Sequence, residues 1–204
     1  MAIHYEVREI PGGRGRDYLR ENHYTRSCHN GPMCWGLFDG DRLIGVIAFA
    51  TPSSEAVRAS VFGPGYKDRV TELHRLFVED GTPKNTESWF IARGIKGLLT
   101  KRPNIRGIIS FADSTEGHKG VIYQASNALF CGTTGRSRFF RDAEGRLRHP
   151  RQNGVNISLE AATERGWVPE MRDSKNRYLF LVGDKKWAAR NLKLTTFDYP
   201  KGDA

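Results

Sequence analysis

Long apolar runs are missing from this 204-residue chain. None approaches the roughly 18–20 residues that a membrane-spanning helix needs, so no membrane partner is expected. The opening MAIHYEVREIPGG has no apolar h-region, which argues against export. Cysteine is scarce. Cys28, Cys34 and Cys131 form an odd, scattered set without a C-x-x-C pair, which argues against a disulfide framework or a structural zinc site and fits the cytoplasm. Internal repeats and low-complexity blocks are also absent. Acidic residues are outnumbered, 23 Asp and Glu against 32 Lys and Arg, for a net charge of +9. Such a surplus suits a nucleic-acid partner, an anionic cofactor or solubility alone. A hydrophobic content of 38% can build a sizeable core, and the length suits a single domain over 1–204.

The positive charge is concentrated. Six arginines fall between Arg136 and Arg151, together with His149, and only Asp142 and Glu144 offset them there. Phe139 and Phe140 interleave with the arginines, and a turn at DAEGR makes this stretch a basic hairpin inserted at about 133–154. A solvated face is one reading. The other is a DNA-binding arm, in which Arg136, Arg138, Arg141, Arg146, Arg148 and Arg151 contact phosphates and the aromatics stack on displaced bases. Lys185, Lys186, Arg190 and Lys193 give a basic tail at about 184–204, which reads equally as a second backbone contact or a plain amphipathic helix.

Local patterns place the remaining elements. A short helix is expected at 14–22 with Tyr18 and Leu19 inward. Strands follow at 33–39 and 42–50, joined by Asp39-Gly40-Asp41, a strong hairpin signal. In TELHRLFVED, Leu73, Arg75 and Phe77 alternate against His74, Leu76 and Val78 as a strand. A helix begins at Asn85 or Thr86 and stops before Pro103, and a buried strand spans 106–112. STEGHKGVIYQASN leads through a capped loop into a second helix, and 158–165 and RYLFLVG give a late helix and strand. Strands flanking a crossover helix argue for an α/β fold, a mixed central sheet flanked by helices with its site at strand C-terminal ends. This order fits the topology of GNAT acyltransferases, in which an acyl-CoA lies between two central strands.

The segments NHY (22–24), ELHRLFV (72–78), NTES (85–88), SFADSTEGHKGVIYQASN (110–127) and KNRYLFLVG (175–183) occur in that order. Together they resemble the Mom family of phage DNA-modification proteins, over about residues 18–183. ADSTEGHKGVIYQASN is the most specific of them. The resemblance implies a GNAT-like fold and conversion of adenine in double-stranded DNA to N6-carbamoylmethyladenine, which blocks restriction endonucleases, in the cytoplasm of a bacterial host. It places functional positions on Tyr24, Arg75, Ser88, Asp113 and Tyr123, with His23 and His118 as their neighbours.

Each position also has a plain structural reading. Asp113 ends an apolar strand, where it could cap the next turn or, as a carboxylate in the cleft, accept or orient the N6 amine proton. Tyr123, five residues into its helix, is a core tyrosine or the acid that protonates a departing CoA thiolate. Tyr24, in the loop after the first helix, could stack on a flipped base. Arg75 pointing inward needs an anion, either a CoA phosphate or a buried carboxylate. Ser88 either caps its helix or, with Lys84, serves an acyl-CoA such as acetyl-CoA at that helix N-terminus. The usual GNAT pyrophosphate loop, Arg/Gln-x-x-Gly-x-Gly/Ala, is missing from EDGTPKNTES.

The opening motif ENHYTRSCHNGP does not close a metal site on His23, Cys28 and His29, whose spacing is wrong. A set of His23, Asp113 and His118 is a different matter. Joining nitrogen to a CH2 is not simple acyl transfer, so a redox metal such as iron on N/O ligands would rationalise the chemistry. The rival readings are a conventional GNAT N-acetyltransferase acting on protein or small-molecule amines, and a catalytically silent DNA-binding protein.

Overall fold

The Gly40-Asp41 turn lies between Asp39 and Arg42, which pair across it, and Gly40 takes φ +59°, a left-handed conformation that suits glycine. It joins the second and third strands of a central sheet in a computed structural model that describes residues 4–152 and 155–200. Residues 153–154 and 201–204, within the expected hairpin and tail, lie outside the described residues. The elements in chain order are β1 (Glu6–Ile10), α1 (Gly12–Asn22), β2 (Met33–Asp39), β3 (Arg42–Ala50), α2 (Glu55–Phe62), β4 (Val70–Val78), α3 (Thr86–Lys101), β5 (Gly107–Asp113), α4 (Val121–Ala125) and β6 (Leu129–Thr133). There follow β7 (Ser137–Arg141), β8 (Leu147–Arg148), β9 (Arg151–Gln152), β10 (Val155–Asn156), α5 (Leu159–Glu164), β11 (Val168–Arg172), β12 (Lys175–Leu181) and α6 (Lys185–Asn191).

Seven strands form the main sheet in the order β1-β2-β3-β4-β5-β12-β6. Only β4 and β5 are parallel, as expected for strands joined by the crossover helix α3. Their pairing covers Val70–Glu72 against Gly107–Ile109 alone. Beyond it β4 continues to Val78 and β5 to Asp113, with no further pairing between them. An interior sheet that comes unpaired at its centre opens a cleft between two strand ends.

The two faces are covered by different helices. Phe90, Ile91 and Leu98 of α3 and Tyr123 of α4 pack with Leu37, Ile47, Leu73 and Phe180 on one side. Leu19 of α1 packs with Ile10, Cys34 and Val46 on the other. A third cluster joins Val61 and Phe62 of α2 to Leu179 and Ala188. Burying each such large side chain contributes about 1.5–3 kcal/mol, which is why these helices stay on the sheet.

The expected alternation in β4 fails at one point. Arg75 pairs Ala48 and Leu73 pairs Phe49, so His74 is an extra residue, a β-bulge. Leu73 therefore shares the α3 face with Leu76 and Val78, while Phe77 packs on the α1 side. Strands β1, β6, β10 and β11 and helix α2 were not anticipated, being short or weakly patterned.

The basic region is not a free hairpin. β7 and β8 are extended by β11 into a three-stranded sheet in the order β11-β7-β8. Phe140 is buried and packs near Trp167, so it serves the core of this small sheet rather than stacking on bases. Buried Asp142 accepts from the Arg146 backbone and holds both Arg146 and Arg148 at 2.8 Å. Arg141 pairs with Glu170 at 2.6 Å and Arg136 with Asp173 at 3.3 Å. Carboxylates from β11 and the residue after it thus neutralise more of the patch than Asp142 and Glu144 alone. No helix among the described residues is long and apolar enough to cross a membrane.

Candidate active site

The cleft between β4 and β5 contains a cavity of about 360 Å³. Its walls come from four separated segments: His23 and Tyr24 after α1, His74 to Leu76 of β4, Phe111 to Asp113 of β5, and Gly117 to Tyr123. Tyr24, Arg75, Asp113 and Tyr123, scattered over a hundred residues of chain, line this one space. Ser88 and Lys84 do not line it. They lie at the N-terminal end of α3, where the Ser88 hydroxyl donates to the Asn85 carbonyl at 3.0 Å and Asn85 itself makes no side-chain cap.

The loop that carries His23 and Tyr24 is fastened to the bulge. Arg75 Nε donates to Thr25 Oγ1 (3.1 Å) and to the Ser27 carbonyl (3.0 Å), and Nη2 reaches Ser27 Oγ at 3.3 Å. Its partners are hydroxyls and carbonyls, of this loop and of His74 on its own strand, not the anion or carboxylate expected from the sequence. Burial lowers the Arg75 pKa, the cost of keeping a cation among neutral acceptors. His29 in the same loop lies against His74, with ring centroids 3.9 Å apart and the planes tilted by 35°. Thus ENHYTRSCHNGP is the wall of a cleft.

His23 is buried. Its Nδ1 accepts the Thr25 backbone N–H at 3.2 Å, and burial, aided by Arg75, His118 and His74, pushes its pKa down to about 3. It is neutral at physiological pH. Tyr24 stacks on His23 (centroids 4.4 Å, 30° between planes) and meets exposed His118 at 5.3 Å. The three rings make an aromatic rim at the mouth of the cavity, a surface suited to a planar ligand.

Asp113 plays both roles that the sequence left open. As a cap, its Oδ1 accepts the Thr115 N–H at 3.2 Å at the start of a 3-10 turn over Ser114–Glu116. Its Oδ2 lies 3.0 Å from Lys175 Nζ and 3.2 Å from Arg172 Nη2. Burial alone would raise the carboxyl pKa, but the hydrogen bond and charge of Lys175, then those of Arg172, outweigh it and hold the group below the usual range. A carboxylate so held is a weak proton acceptor. With about four lone-pair sites and three donors, it retains room for one more N–H.

Tyr123 is the third residue of the five-residue α4, closer to the helix start than the sequence suggested. It is buried against Tyr178 and Phe180, and its phenol hydrogen-bonds Ser110, whose own hydroxyl donates to the Leu73 carbonyl beside the bulge. Burial raises its pKa, so it stays protonated and is fitted to donate. The turn before it depends on Gly120, at φ +78°, where a Cβ would collide with the Tyr178 ring. Tyr178 in turn donates to the Lys119 carbonyl at 2.6 Å, holding the loop from below.

The iron set is not assembled. Among the described residues no three His, Cys, Asp or Glu side chains come together to hold a metal ion. His23 spends Nδ1 on Thr25, and two cations occupy Asp113, so His23, Asp113 and His118 do not offer a common set of free donors.

Sequence reasoning missed Lys175, Arg172 and the pair Glu72–His74. His74 Nδ1 lies 3.1 Å from Glu72 Oε1. Only strand pairing reveals the first of these, because Lys175 faces Asp113 in the β5–β12 register. The signal for Glu72–His74 was present in ELHR, since an acid and a histidine at i and i+2 share one strand face.

Comparison with known proteins adds the following. Residues 4–201 match the Mom protein family. The chain is 30% identical over 201 residues to the methylcarbamoylase Mom of Escherichia phage Mu, covering 91% of this chain and 79% of that one. Among solved structures it is similar to a spermidine N-acetyltransferase from Vibrio cholerae, with a TM-score of 0.51 at 11% identity, over 89% of this chain and 95% of that one. A spermidine/spermine N-acetyltransferase structure from the same organism gives 0.50 at 12%, over 91% and 96%. At that identity the likeness concerns the fold, which is that of the GNAT acetyltransferases.

Proposed function

The chain belongs to the Mom protein family, and on that premise we propose that it modifies adenine in DNA at the exocyclic N6 amine. The product in this reading is N6-carbamoylmethyladenine, and its consequence is protection of phage DNA from host restriction in the bacterial cytoplasm. One observation carries the proposal: Tyr24, Asp113 and Tyr123, brought from three distant segments, line a single cleft between the unpaired ends of β4 and β5.

The residues divide the work by their chemistry. Tyr24 and His118 form the stacking rim for a base turned out of the duplex. Asp113, ionised and fixed by Lys175 and Arg172, accepts an N–H from the amine and orients it. Tyr123 retains its proton and supplies it to a leaving group. The group-transfer partner is an acyl-CoA or a related donor; because a thioester carbonyl would give an N-acyl adenine, the carbamoylmethyl product requires that the carbon meeting N6 be a methylene that carries the leaving group. The opening between β4 and β5, with a buried phenol beside it, suits such a group, and Lys84 and Ser88 at the α3 N-terminus, outside the cavity, would hold its anionic part. The small basic sheet contacts duplex DNA through the arginines that its carboxylates leave in surplus.

Mass spectrometry of nucleosides from bacterial DNA, after expression of the full chain or its Asp113→Ala variant, tests this reading. An adenosine heavier by one carbamoylmethyl group, present only with the unmutated chain, is expected. Acetyl-adenine would keep the DNA substrate and replace the product. Unmodified DNA from a folded, expressed protein would overturn the proposal in favour of an acetyltransferase acting on other amines.

A further inference from the structure

We propose that the Glu72–His74 pair is the proton acceptor of this site, with His74 Nε2 taking a proton from the substrate amine while Glu72 fixes the ring. The inference rests on the DNA-adenine reading above and deepens it. It begins from an anomaly: His74 lines the cavity and its side chain is 93% buried, from a relative exposure of 7%, yet its Nε2 has no hydrogen-bond partner among the described residues. Leaving such a nitrogen dry and unsatisfied is destabilising. A ligand that brings an N–H to it would remove that cost.

The tautomer follows from the neighbour. Glu72 Oε1 can only accept, so the 3.1 Å contact places the His74 proton on Nδ1 and leaves the lone pair on Nε2. Groups facing the ring are Glu72 and Arg75 on its own strand and His29 and His23 on the loop. Burial, with Arg75 and His29, lowers the His74 pKa although Glu72 opposes them, so the ring is neutral at pH 7. The bulge explains the placement. It puts His74 beside the cleft, out of the ladder that would otherwise set its direction.

Asp113 is ill-suited to the same task because two cations stabilise its ionised form. The two acceptors then complement each other. An exocyclic –NH2 carries two donor hydrogens, and the cavity offers one remaining site on Asp113 and one on His74. A base with a carbonyl in that position would meet two acceptors and be rejected. In the transfer step the N6–H bond breaks and its proton goes to His74 Nε2. The nitrogen electron pair forms the new N–C bond to the methylene carbon of a donor that carries a carbamoylmethyl group on a leaving group, and the bond between that carbon and the leaving group breaks. Its electron pair departs with the leaving group, which Tyr123 protonates, and His74 and Tyr123 return to their starting states by proton exchange with water.

The test uses the 15N-labelled full chain and its His74→Gln and Glu72→Gln variants. Long-range 1H–15N spectra at pH 7.5 are expected to show His74 protonated at Nδ1 and bare at Nε2, with that preference weakened in Glu72→Gln. In expressing bacteria, His74→Gln is expected to cut modified adenine at least 100-fold, with duplex-DNA affinity and melting temperature retained. A protonated Nε2, or undiminished modification by His74→Gln, would overturn the inference while leaving the DNA-adenine reading in place. If the unmutated chain itself leaves DNA unmodified, both fall together.

Discussion

Lys175 and Asp113 face each other across the β5–β12 pairing, and the Lys175 ammonium lies 3.0 Å from the carboxylate. Arg172, three residues earlier, grips the same oxygen from the last residue of β11. One carboxylate thus ties the main sheet to the small basic sheet.

The two cations are not equivalent. Arg172 and Asp113 are both more than nine-tenths buried, whereas the Lys175 side chain is 36% exposed. Removing one partner of a buried pair is strongly destabilising, and here the remaining lysine softens the loss. Arg172→Met should therefore cost about 2 kcal/mol and Lys175→Met less than about 1 kcal/mol, read from urea unfolding at pH 7.5. Equal losses would mean that the carboxylate does not distinguish its partners.

Tyr123→Phe removes one hydroxyl and leaves Ser110 bonded to the Leu73 carbonyl. Stability should fall by about 1 kcal/mol or less. Modified adenine should fall by about 100-fold or more if the phenol is the acid of the reaction. Full modification by a folded Tyr123→Phe would remove it from that role.

Gly120→Ala combines a positive φ with a collision against the Tyr178 ring. The expected loss is about 1–3 kcal/mol, with displacement of the 117–123 segment. Melting temperature and the near-ultraviolet tyrosine signal report both effects, and unchanged values would show that Tyr178 can yield.

Acid should weaken the fold in two separable stages. His23 titrates near 6.5 when unfolded and near 3 when folded, and His74 is shifted in the same direction. Below pH 6.5 the unfolded chain takes up protons that the native rings refuse, so stability falls as pH drops from 6.5 towards 3. Asp142 behaves as a depressed carboxylate, near 3.8 unfolded and about 2 folded, held by the Arg146 backbone and then by the Arg146 and Arg148 side chains against the opposing effect of burial. Its contribution is present above about pH 4 and disappears towards pH 2. Urea midpoints between pH 7.5 and 5 should decline, less steeply in His74→Gln, before hydrogen exchange at 137–148 quickens.

The arginines of the small sheet should divide by their partners. Exposed Arg138, on the surface of β7, is expected to contact phosphate, so Arg138→Ala should reduce the slope of log K against log salt by about 0.9. Arg146→Ala should act chiefly on the turn, because Arg146 is committed to Asp142 and Glu144. Similar salt slopes for Arg138→Ala and the unmutated chain would dissociate β7 from DNA.

Much of this was legible beforehand. The β2–β3 hairpin was expected at its observed bounds, because its turn and apolar runs are local signals. Asp113 and Tyr123 were placed by motif, and the carboxylate was expected at the end of its strand. What stayed hidden was set by pairing between distant segments. No local pattern announces that β11 would bring Glu170 to Arg141 or that Arg75 would bind a loop fifty residues away. Nor does any local pattern announce that His23 would spend Nδ1 on Thr25 or that Lys175 and Arg172 would take Asp113.

The bulge at His74 sets the parity of β4. Leu73 and Arg75 pair with Phe49 and Ala48, which are successive on β3, so they already face opposite ways with His74 as the surplus residue between them. Deleting His74 would therefore close the ladder with Leu73 still in its core and Arg75 still directed at Thr25 and Ser27. The strand can lose one codon without disturbing either flank, and that codon is the one that places an imidazole beside the cleft.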